Sequence, residues 1–370
     1  MTNPLLDPPV ILPERLVALE AAVAAMLETR FDVVLPQAEA VLPLEAAARS
    51  LGGEGVSALN LDTWPYGLAF GRWLEDVGTT VIGIGGAAHE AVRPEAVEKA
   101  LAEHPEVSLV SFVHAEAATG VRNDAETIAG LAREHGALIV VDLVASFGAE
   151  QVRVDDWGVD VAVVGPQKAL AGPAGISVAV VSDRAWQAMS DNPRAPRASS
   201  LSLLDWKRLW LDTGRKAIPG TPSPLEIIAL EAAVARVGEE GLAGVRRRHR
   251  SSAAASRAGG RALGLAPFAR DAEAASVTTT LAAPPGIDAR ELAERARARR
   301  DTVVSPGIGE LAASTVRVNH TGRRAELSCV LEALEALGDA LAGAGGLRGS
   351  VPAALAEAER AWSAAQAPLG

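Results

Sequence analysis

The sequence is short of the residues that build disulfide frameworks, membrane spans and export signals. It has one cysteine, Cys329, among 370 residues, which excludes a disulfide framework and any multi-cysteine metal site. No uncharged apolar run approaches the roughly 18–20 residues that cross a bilayer. The first twenty residues lack a basic stretch followed by an apolar one, so no signal peptide is visible. These absences predict a cytoplasmic protein with no membrane partner.

Positive charge is also in deficit. The net charge is −11 and the pI is near 5.2, which argues against a nucleic acid or an anionic membrane as partner. Only four of the 35 basic residues are lysines. One of them, Lys168, ends the apolar run of "VVGPQKALAGPAG" (163–175), among Gly and Pro residues that do not form a regular helix. Burying an ammonium there is costly unless it is paired or neutralised, so this lysine needs a chemical explanation.

Apolar runs that alternate with helical patterns are abundant, and 49% of the residues are hydrophobic. Continuous β-branched runs predict strands buried on both faces of a parallel sheet, with helices covering it. The fold class is therefore α/β and doubly wound, with ligands expected at the carboxyl ends of the strands. The predicted strands are 106–115, 137–142, 159–165 and 175–182, and the predicted helices are 14–30, one from about residue 42, 124–136, 182–189 and a long stretch within 219–264.

From about residue 265 the pattern changes to shorter elements, which predicts a second, smaller α+β domain. Its predicted strands lie in 276–284 and 314–322, and its predicted helices in 288–300 and 325–342. The expected division is a large cofactor-binding domain over 1–235, a small C-terminal domain over 236–341, and a linker and C-terminal helix over 342–370, with 342–350 flexible by composition.

Three predicted strands end in polar residues that a parallel sheet would bring to one edge: "HAEAATG" (114–120), Asp142 in "VVDLVASFG", and "GPQK" (165–168). The simplest interpretation is that Asp142 and Lys168 pair with each other. The alternative is that both bind one cofactor whose ring carries an aldehyde and a basic nitrogen. A desolvated lysine amine condenses with such an aldehyde, and a carboxylate keeps a pyridine nitrogen protonated so that the ring accepts electrons. That combination predicts pyridoxal chemistry.

The segment "VVDLVASFGAEQVRVDDWGVDVAVVGPQKALAGPAGISV" resembles the cofactor region of the class V, fold-type I aminotransferases. The resemblance extends to "NLDTWPYGLAFGRWL", "PGTPSPLEIIALEAAV" and "VRVNHTG" and covers residues 30–340. It is strongest with the alanine–glyoxylate and serine–pyruvate branch, and segments 37–73 and 182–206 are most similar to the pyridoxamine–pyruvate aminotransferases. It implies a large domain with a mostly parallel seven-stranded sheet, a smaller C-terminal α+β domain, and a homodimer with shared active sites.

The resemblance also implies roles for individual residues. Lys168 matches the lysine that forms the Schiff base, and Asp142 matches the partner of the pyridine nitrogen. Tyr66, the only tyrosine, matches the aromatic residue that stacks on the ring; on the residues alone, core packing is the alternative. Arg317 matches the residue that takes the substrate carboxylate, since a guanidinium can bind a carboxylate through two hydrogen bonds.

Other positions are matched to the surroundings of the cofactor. Thr119 matches the residue that hydrogen-bonds the phenolic oxygen of the ring, and Gln167 matches a neighbour of the lysine that reaches the phosphate. His114 and Glu116 are expected beside the site, although His114 is equally explained as a core histidine. The remaining positions that the resemblance assigns to the cofactor are Glu39, Ala40, Ser146 and Thr221.

The chain departs from the family pattern at several positions. Family members open the helix near residue 40 with a Gly- and Ser/Thr-rich turn whose N–H groups bind the phosphate. This chain has Glu39 there, as the pyridoxamine–pyruvate aminotransferases do, and a carboxylate repels a phosphate dianion. Gln167, by contrast, is typical of phosphate binders, so both forms of the cofactor stay open. Gly220 replaces a tyrosine of the neighbouring subunit, Ile308 replaces a second substrate-binding arginine, and the N-terminal arm is missing before about Pro8.

The resemblance predicts an aminotransferase that moves an amino group between a small amino acid and a 2-oxo acid, or pyridoxal itself. The cofactor is pyridoxal 5′-phosphate, with unphosphorylated pyridoxal or pyridoxamine as the alternative, and no metal is expected. Lyases and decarboxylases that use the same cofactor share these residues and differ in which bond to the substrate Cα is broken. A non-catalytic pyridoxal-binding domain is the third hypothesis, and the set of Lys168, Asp142 and Arg317 argues against it.

Overall fold

The computed structural model describes residues 5–299 and 303–367; the ends of the predictions for 1–235, 288–300 and 342–370 lie outside these ranges. No helix in the described ranges is long and apolar enough to cross a membrane. The helices are α1 (Pro13–Leu27), α2 (Val41–Leu51), α3 (Tyr66–Asp76), α4 (Pro94–Glu103), α5 (Ala125–His135), α6 (Val154–Trp157), α7 (Asp183–Asp191), α8 (Leu203–Trp206), α9 (Pro224–Glu240), α10 (Leu242–Leu263), α11 (Ala289–Arg299), α12 (Leu327–Gly343) and α13 (Val351–Ala365).

The strands form one large sheet, one small sheet and a short hairpin. The strands are β1 (Asp32–Val34), β2 (Ser57–Leu61), β3 (Thr80–Ile84), β4 (Val107–Val113), β5 (Ala115–Glu116), β6 (Val121–Arg122), β7 (Leu138–Asp142), β8 (Val161–Val164), β9 (Val178–Val181), β10 (Ala266–Pro267), β11 (Thr279–Ala282), β12 (Val304–Pro306) and β13 (Thr315–Val318). The large sheet has the order β1-β9-β8-β7-β4-β2-β3, and β9 runs antiparallel to both of its neighbours. The other pairs of this sheet are parallel. The small sheet, β10-β11-β13-β12, is antiparallel, and β5 and β6 form the hairpin.

The large sheet confirms the predicted α/β fold with a mainly parallel seven-stranded sheet. Its strands β4, β7, β8 and β9 lie within the four predicted ranges, and β8 and β9 are fully buried, as expected for strands covered on both faces. Because β4, β7 and β8 are parallel neighbours, their carboxyl ends meet at one edge of the sheet. The polar residues that follow these three strands therefore lie at the same edge.

The long helical pattern within 219–264 is two helices rather than one. Gly241 separates α9 from α10 and has a φ of +76°, a conformation that side chains with a Cβ rarely adopt. Helix α10 then links two separate apolar cores. Val245 near its start belongs to the core around the large sheet, and Ala255 belongs to the core around the small sheet.

The C-terminal helix α13 packs on the smaller core. Ala354 and Ala358 of α13 are fully buried in that core, together with residues of α10 and α12. In the segment predicted to be flexible, the Gly346 N–H donates to the carbonyl of Leu341, and Leu347 packs against the same core. The expected domain boundaries at 235 and 341 stay predictions.

Candidate active site

A cavity of about 370 Å³, including its open mouth, lies at the carboxyl edge of the large sheet. It is enclosed by the ends of β7 and β8, by the hairpin β5–β6, and by the first turns of α2 and α3. The residues that line it are Glu39, Ala40, Val41, Leu44, Tyr66, Ala115, Ala117, Asp142, Val144, Ala145 and Lys168. Five of the residues predicted for the site, Glu39, Ala40, Tyr66, Asp142 and Lys168, are thus brought together.

The turn that carries Lys168 begins where β8 ends. Its backbone is closed by hydrogen bonds from the Ala171 N–H to the Lys168 carbonyl (3.0 Å) and from the Gly172 N–H to the Pro166 carbonyl (2.8 Å). Gly165 allows this turn to lie against the segment after β7, because a Cβ at that position would be 2.6 Å from Cγ1 of Val144. The Gly and Pro residues around Lys168 therefore fold the chain tightly beside Asp142's strand.

Lys168 is half-buried, and its Nζ makes no ion pair or side-chain hydrogen bond with any described residue. Burial lowers the pKa of this ammonium, and the positive charge of Arg317 lowers it further, although Asp142 and two glutamates oppose the shift. A lowered pKa increases the fraction of neutral amine, which is the nucleophilic and basic form. The structure therefore does not contain an ion pair between Lys168 and Asp142.

Asp142 ends β7 and is buried at the bottom of the cavity. Its Oδ1 accepts a hydrogen bond from the Val144 N–H (2.7 Å). Burial raises the pKa of this carboxyl to about 7, and the Val144 N–H and Lys168 only partly offset that shift. Asp142 is thus a carboxylate without a cation in contact, which is what a protonated ring nitrogen would supply.

Tyr66 begins α3, and the buried carboxyl of Glu116 holds that helix end. Oε1 of Glu116 accepts hydrogen bonds from the backbone N–H groups of Tyr66 and Gly67 (both 3.1 Å) and from the hydroxyl of Thr63 (3.3 Å). Burial, together with the nearby Asp142, raises the pKa of Glu116 to about 8. Tyr66 itself is 36% exposed at the mouth of the cavity, and burial raises the pKa of its phenol. Glu116 therefore lies beside the site and fixes the backbone of the aromatic residue.

Glu39 occupies the N-terminus of α2. Its Oε2 accepts a hydrogen bond from the N–H of Val41, the first residue of that helix, at 2.8 Å. Its Oε1 accepts a hydrogen bond from Nε2 of Gln167, also at 2.8 Å. A helix N-terminus is a natural anion site. Here the anion in that site is a carboxylate of the chain itself.

Arg317 lies on β13 and faces the same region from the small sheet. Its guanidinium donates to Oγ of Ser305 (3.2 Å) and to the carbonyls of Pro306 (3.3 Å) and Ala117 (3.4 Å). No carboxylate of the described residues pairs with it, and burial lowers its pKa. A half-buried guanidinium held by neutral acceptors, with Ala117 of the cavity wall among them, is suited to receive a carboxylate from outside the protein.

Seven residues predicted for the site or its surroundings do not line this cavity. Three of them bond to residues that do: Gln167 to Glu39, Arg317 to the Ala117 carbonyl, and Glu116 to the Tyr66 N–H. The other four lie elsewhere. Thr119 borders a different cavity with Asp62, Thr63 and Trp64. Ser146 is fully buried, and its hydroxyl has no partner among the described residues. Thr221 is exposed, and its carbonyl accepts a hydrogen bond from Gln37 (3.0 Å). His114 packs edge-to-face on Trp157 and faces a separate cavity that includes Arg122.

Six lining residues were not singled out from the sequence. They are all apolar: Val41, Leu44, Ala115, Ala117, Val144 and Ala145. Ala115 could have been found, because neighbouring side chains of an extended chain point to opposite sides. His114 packs on Trp157, away from the cavity, so the next residue, Ala115, faces the cavity. Nothing in the sequence signals Val41 or Leu44, which reach the cavity through the packing of α2.

Comparison with known proteins identifies the class of enzyme to which this cavity belongs. The model of the family described as "Aminotransferase class-V" matches residues 63–299. The chain therefore belongs to the class V aminotransferases, as predicted, and within them to the alanine–glyoxylate and serine–pyruvate branch. The protein is an aminotransferase.

Among individual proteins, the chain is 40% identical over 313 residues to a pyridoxamine–pyruvate transaminase of Mesorhizobium japonicum, covering 84% of this chain and 79% of that protein. The crystal structure of pyridoxamine–pyruvate aminotransferase from Mesorhizobium loti is similar with a TM-score of 0.91 and 34% identity, over 97% of this chain and 93% of that one. Ureidoglycine–glyoxylate aminotransferase from Bacillus subtilis has a TM-score of 0.87 and 24% identity, over 96% of this chain and 92% of that one, and shares the fold.

The family depends on pyridoxal 5′-phosphate, and the residues of the cavity fit a pyridoxyl ring. The fit rests on two groups that the protein leaves without an opposite charge, the carboxyl of Asp142 and the amine of Lys168. The ring nitrogen and the aldehyde of a pyridoxyl group match these two groups in kind. The part of the cavity at Glu39 does not match a phosphate in the same way, because the Val41 N–H and Nε2 of Gln167 already donate to this carboxylate.

Proposed function

We propose that this aminotransferase acts on pyridoxamine and pyridoxal without a 5′-phosphate, exchanging the amino group with a small 2-oxo acid. In this reaction pyridoxamine and the 2-oxo acid become pyridoxal and an amino acid. The observation that carries the proposal is the position of Glu39, whose two oxygens accept from the Val41 N–H and from Gln167. The similarity to pyridoxamine–pyruvate aminotransferases supports the same choice.

A phosphate would have to displace Glu39 or lie against it. Two negative charges a few ångströms apart repel by about 1 kcal/mol in a water-like environment and by several times that where water is excluded. The hydroxymethyl group of an unphosphorylated ligand has no charge and needs no helix N-terminus. Gln167, typical of phosphate binders, here donates to a carboxylate instead, so its presence does not require a phosphate.

The roles proposed for the residues follow from their positions. When bound, a pyridoxyl group supplies an aldehyde that condenses with amines and a pyridinium ring that withdraws electrons from the substrate Cα. Lys168 would hold the ligand through a covalent bond of its Nζ, formed with loss of water, and, once released, would carry a proton between the substrate Cα and C4′ of the ligand as base and then acid. Asp142 holds the ring nitrogen protonated, and Tyr66 covers the ring at the mouth. Arg317 binds the carboxylate of the amino acid or 2-oxo acid.

We also propose that the enzyme is a homodimer. Leu6 and Val10 are 83% and 80% exposed, and exposed large apolar side chains close together favour burial against another surface. A role for Thr221 at the ligand also requires a second copy, since this residue does not line the cavity of its own chain. The division into a large domain, a small domain and a C-terminal helix is proposed with the boundaries expected from the sequence.

The experiment is a turnover assay with protein freed of bound pyridoxyl compounds. The protein is incubated with a hundredfold excess of pyridoxamine and a panel of small 2-oxo acids, and free pyridoxal is measured over time. Many turnovers per protein molecule support the proposal. If turnover requires pyridoxal 5′-phosphate and an amino acid, and pyridoxamine is inert, the enzyme is an aminotransferase with a resident phosphorylated cofactor and the proposal is wrong.

A further inference from the structure

The turn that carries Lys168 is in direct contact with Gly322, in the loop that follows β13. Gly322 has a φ of +63°, and a Cβ at this position would lie 2.7 Å from Cβ of Ala171 and 2.9 Å from the carbonyl oxygen of Lys168. Both distances are shorter than real Cβ contacts. The backbone of Gly322 therefore packs directly on the backbone of the lysine turn, and a displacement of one displaces the other.

Gly322 is in turn held by His249, a fully buried residue in the first half of α10. The N–H of Gly322 donates to Nε2 of His249 at 3.0 Å, and Nδ1 of His249 lies 2.8 Å from the carbonyl of Val245. A carbonyl only accepts and an N–H only donates, so Nδ1 carries the proton and Nε2 carries the lone pair. The two hydrogen bonds fix both the tautomer and the orientation of the ring.

Two arginines of α9 and α10 bond to the same two segments. Arg248 donates to the carbonyl of Gly322, and Arg236 donates to the carbonyl of Leu170 in the lysine turn. Both segments are thus attached to the same pair of helices through backbone groups. Of the side chains in this set, His249 is the one that is fully buried and that receives the Gly322 N–H.

We propose that His249 is a positioning residue of the aminotransferase reaction. By accepting the Gly322 N–H it holds Gly322 against the lysine turn, and so fixes where the Nζ of Lys168 lies relative to the ligand. His249 touches neither substrate nor cofactor and acts only through Gly322. This inference rests on the proposed function in one respect, that Lys168 is the residue that bonds to the pyridoxyl compound. When a reacting group is misplaced by up to about an ångström, the rate of the chemical step falls far more than the affinity for the substrate does.

Two substitutions of His249 separate positioning from packing. In His249→Gln the side-chain oxygen reaches the position of Nε2 and can still accept from Gly322. In His249→Asn the side-chain amide reaches only the position of Nδ1, so it keeps the contact with Val245 and loses the one with Gly322. Both variants remove the imidazole from the core, so a purely structural role predicts similar losses for both, with the shorter Asn at most slightly worse.

The two readouts are the rate at which pyridoxal becomes covalently attached to Lys168, trapped by borohydride and located by mass spectrometry, and kcat with KM for the 2-oxo acid. We expect His249→Asn to lower the attachment rate and kcat about tenfold, the order of effect of one lost hydrogen bond, with KM changed less than twofold. We expect His249→Gln to stay within about threefold of the unsubstituted protein. Equal losses in the two variants, or no loss in His249→Asn, would overturn the proposal.

If His249→Asn does not fold, Gly322→Ala tests the contact between Gly322 and the turn that carries Lys168. The added methyl group pushes the loop away from Lys168 and Ala171, and we expect it to slow attachment by at least tenfold. The matched control is Gly345→Ala, since Gly345 has a similar φ of +72° and nothing within 4 Å of its Cβ position. Equal attachment rates in the two alanine variants would contradict the positioning role. If the unsubstituted protein itself shows no attachment at Lys168, the proposed function fails instead, and the two failures are distinguishable.

Discussion

The cavity treats charge in opposite ways at two places. We call them the ring end, at Asp142 and Lys168, and the far end, at Glu39 and the N-terminus of α2. At the ring end, Asp142 and Lys168 are buried or half-buried and have no opposite charge in contact among the described residues. At the far end, the carboxylate of Glu39 accepts 2.8 Å hydrogen bonds from the Val41 N–H at the N-terminus of α2 and from Nε2 of Gln167, while Oε1 of Gln167 is buried without a partner among the described residues. The ring end needs a ligand to complete its electrostatics, whereas the anion site at the far end is already filled by Glu39.

This difference points to a ligand with charge at one end only. An unpaired buried carboxylate is costly and is tolerated where a ligand compensates it. A paired helix N-terminus offers no such gain, and a second anion there would have to break existing hydrogen bonds. The ligands that we propose, pyridoxal and pyridoxamine, have the charged ring and lack the phosphate, as this difference favours.

The largest expected effect comes from breaking the ring end at its amine. Lys168→Ala should abolish borohydride trapping of pyridoxal and lower the transamination rate about a thousandfold or more, because the covalent bond and the proton transfer both depend on this residue. Lys99→Ala is the control, since the side chain of Lys99 on α4 is 75% exposed and pairs with Glu103 at 3.8 Å. Trapping of pyridoxal at another lysine in the Lys168 variant would contradict the assignment.

The second prediction concerns Asp142 at the ring end, whose substitution should lower activity but raise the stability of the ligand-free protein. Asp142→Asn should lower kcat about a hundredfold, since an amide cannot hold a ring nitrogen protonated. In the ligand-free protein the same change should be stabilising. Burial raises the pKa of Asp142 from 3.8 to about 7, so the folded state binds this proton more tightly than the unfolded state, and folding is progressively destabilised as pH rises from about 4 to 7.

Urea unfolding across pH 4 to 8 measures this effect. The gain of Asp142→Asn over the unsubstituted protein should be near zero at pH 4 and grow to about 2–4 kcal/mol above pH 7. The amide oxygen can still accept the Val144 N–H, so the local backbone is preserved. The exposed variant Asp156→Asn should change stability by less than about 0.5 kcal/mol across this range. The prediction is wrong if Asp142→Asn raises stability equally at every pH, or lowers it at pH 8. Either result would mean that the carboxylate of Asp142 already has a stabilising partner in the ligand-free protein.

The smallest expected effect comes from opening the far end. Glu39→Ser removes the carboxylate and leaves a hydroxyl that can cap α2. We expect the affinity for pyridoxal 5′-phosphate relative to pyridoxal to rise about tenfold or more, since the repulsion between two anions is removed. Glu45→Ser makes the same change of net charge on the same helix and should leave the ratio within about twofold. A ratio unchanged by Glu39→Ser would mean that Glu39 does not select against phosphate.

The fold was predictable where strands are long and continuously apolar. The strands β4, β7, β8 and β9 stand out as β-branched runs, and their order along the chain places Asp142 and Lys168 at one edge. The apolar pattern does not predict β2 and β3, "SALNL" and "TVIGI", since Asn60 and Gly83 interrupt it. Asn60 is nevertheless fully buried, since its amide donates to Asp62 and to the Gly67 carbonyl and accepts from Ser111. Tertiary hydrogen bonds override its low strand propensity.

The site was predictable for the residues that carry charge and much less so for their surroundings. Lys168, Asp142, Tyr66 and Glu39 line one cavity because each stands at the end of a strand or the start of a helix. Thr119 does not, since it lies in the turn between β5 and β6, where side chains do not alternate as they do along an extended strand. His249 carried no signal in the sequence, because its importance depends on a contact with Gly322, 73 residues away along the chain.

The most direct measurement is an equilibrium titration of the ligand-free, unsubstituted protein with pyridoxal and with pyridoxal 5′-phosphate in parallel, followed by the absorbance of the bound ligand. The account predicts that pyridoxal binds at least about tenfold more tightly than its phosphate, because Glu39 already fills the anion site at α2. Equal binding, or tighter binding of the phosphate, would contradict the claim that Glu39 already fills the anion site at α2.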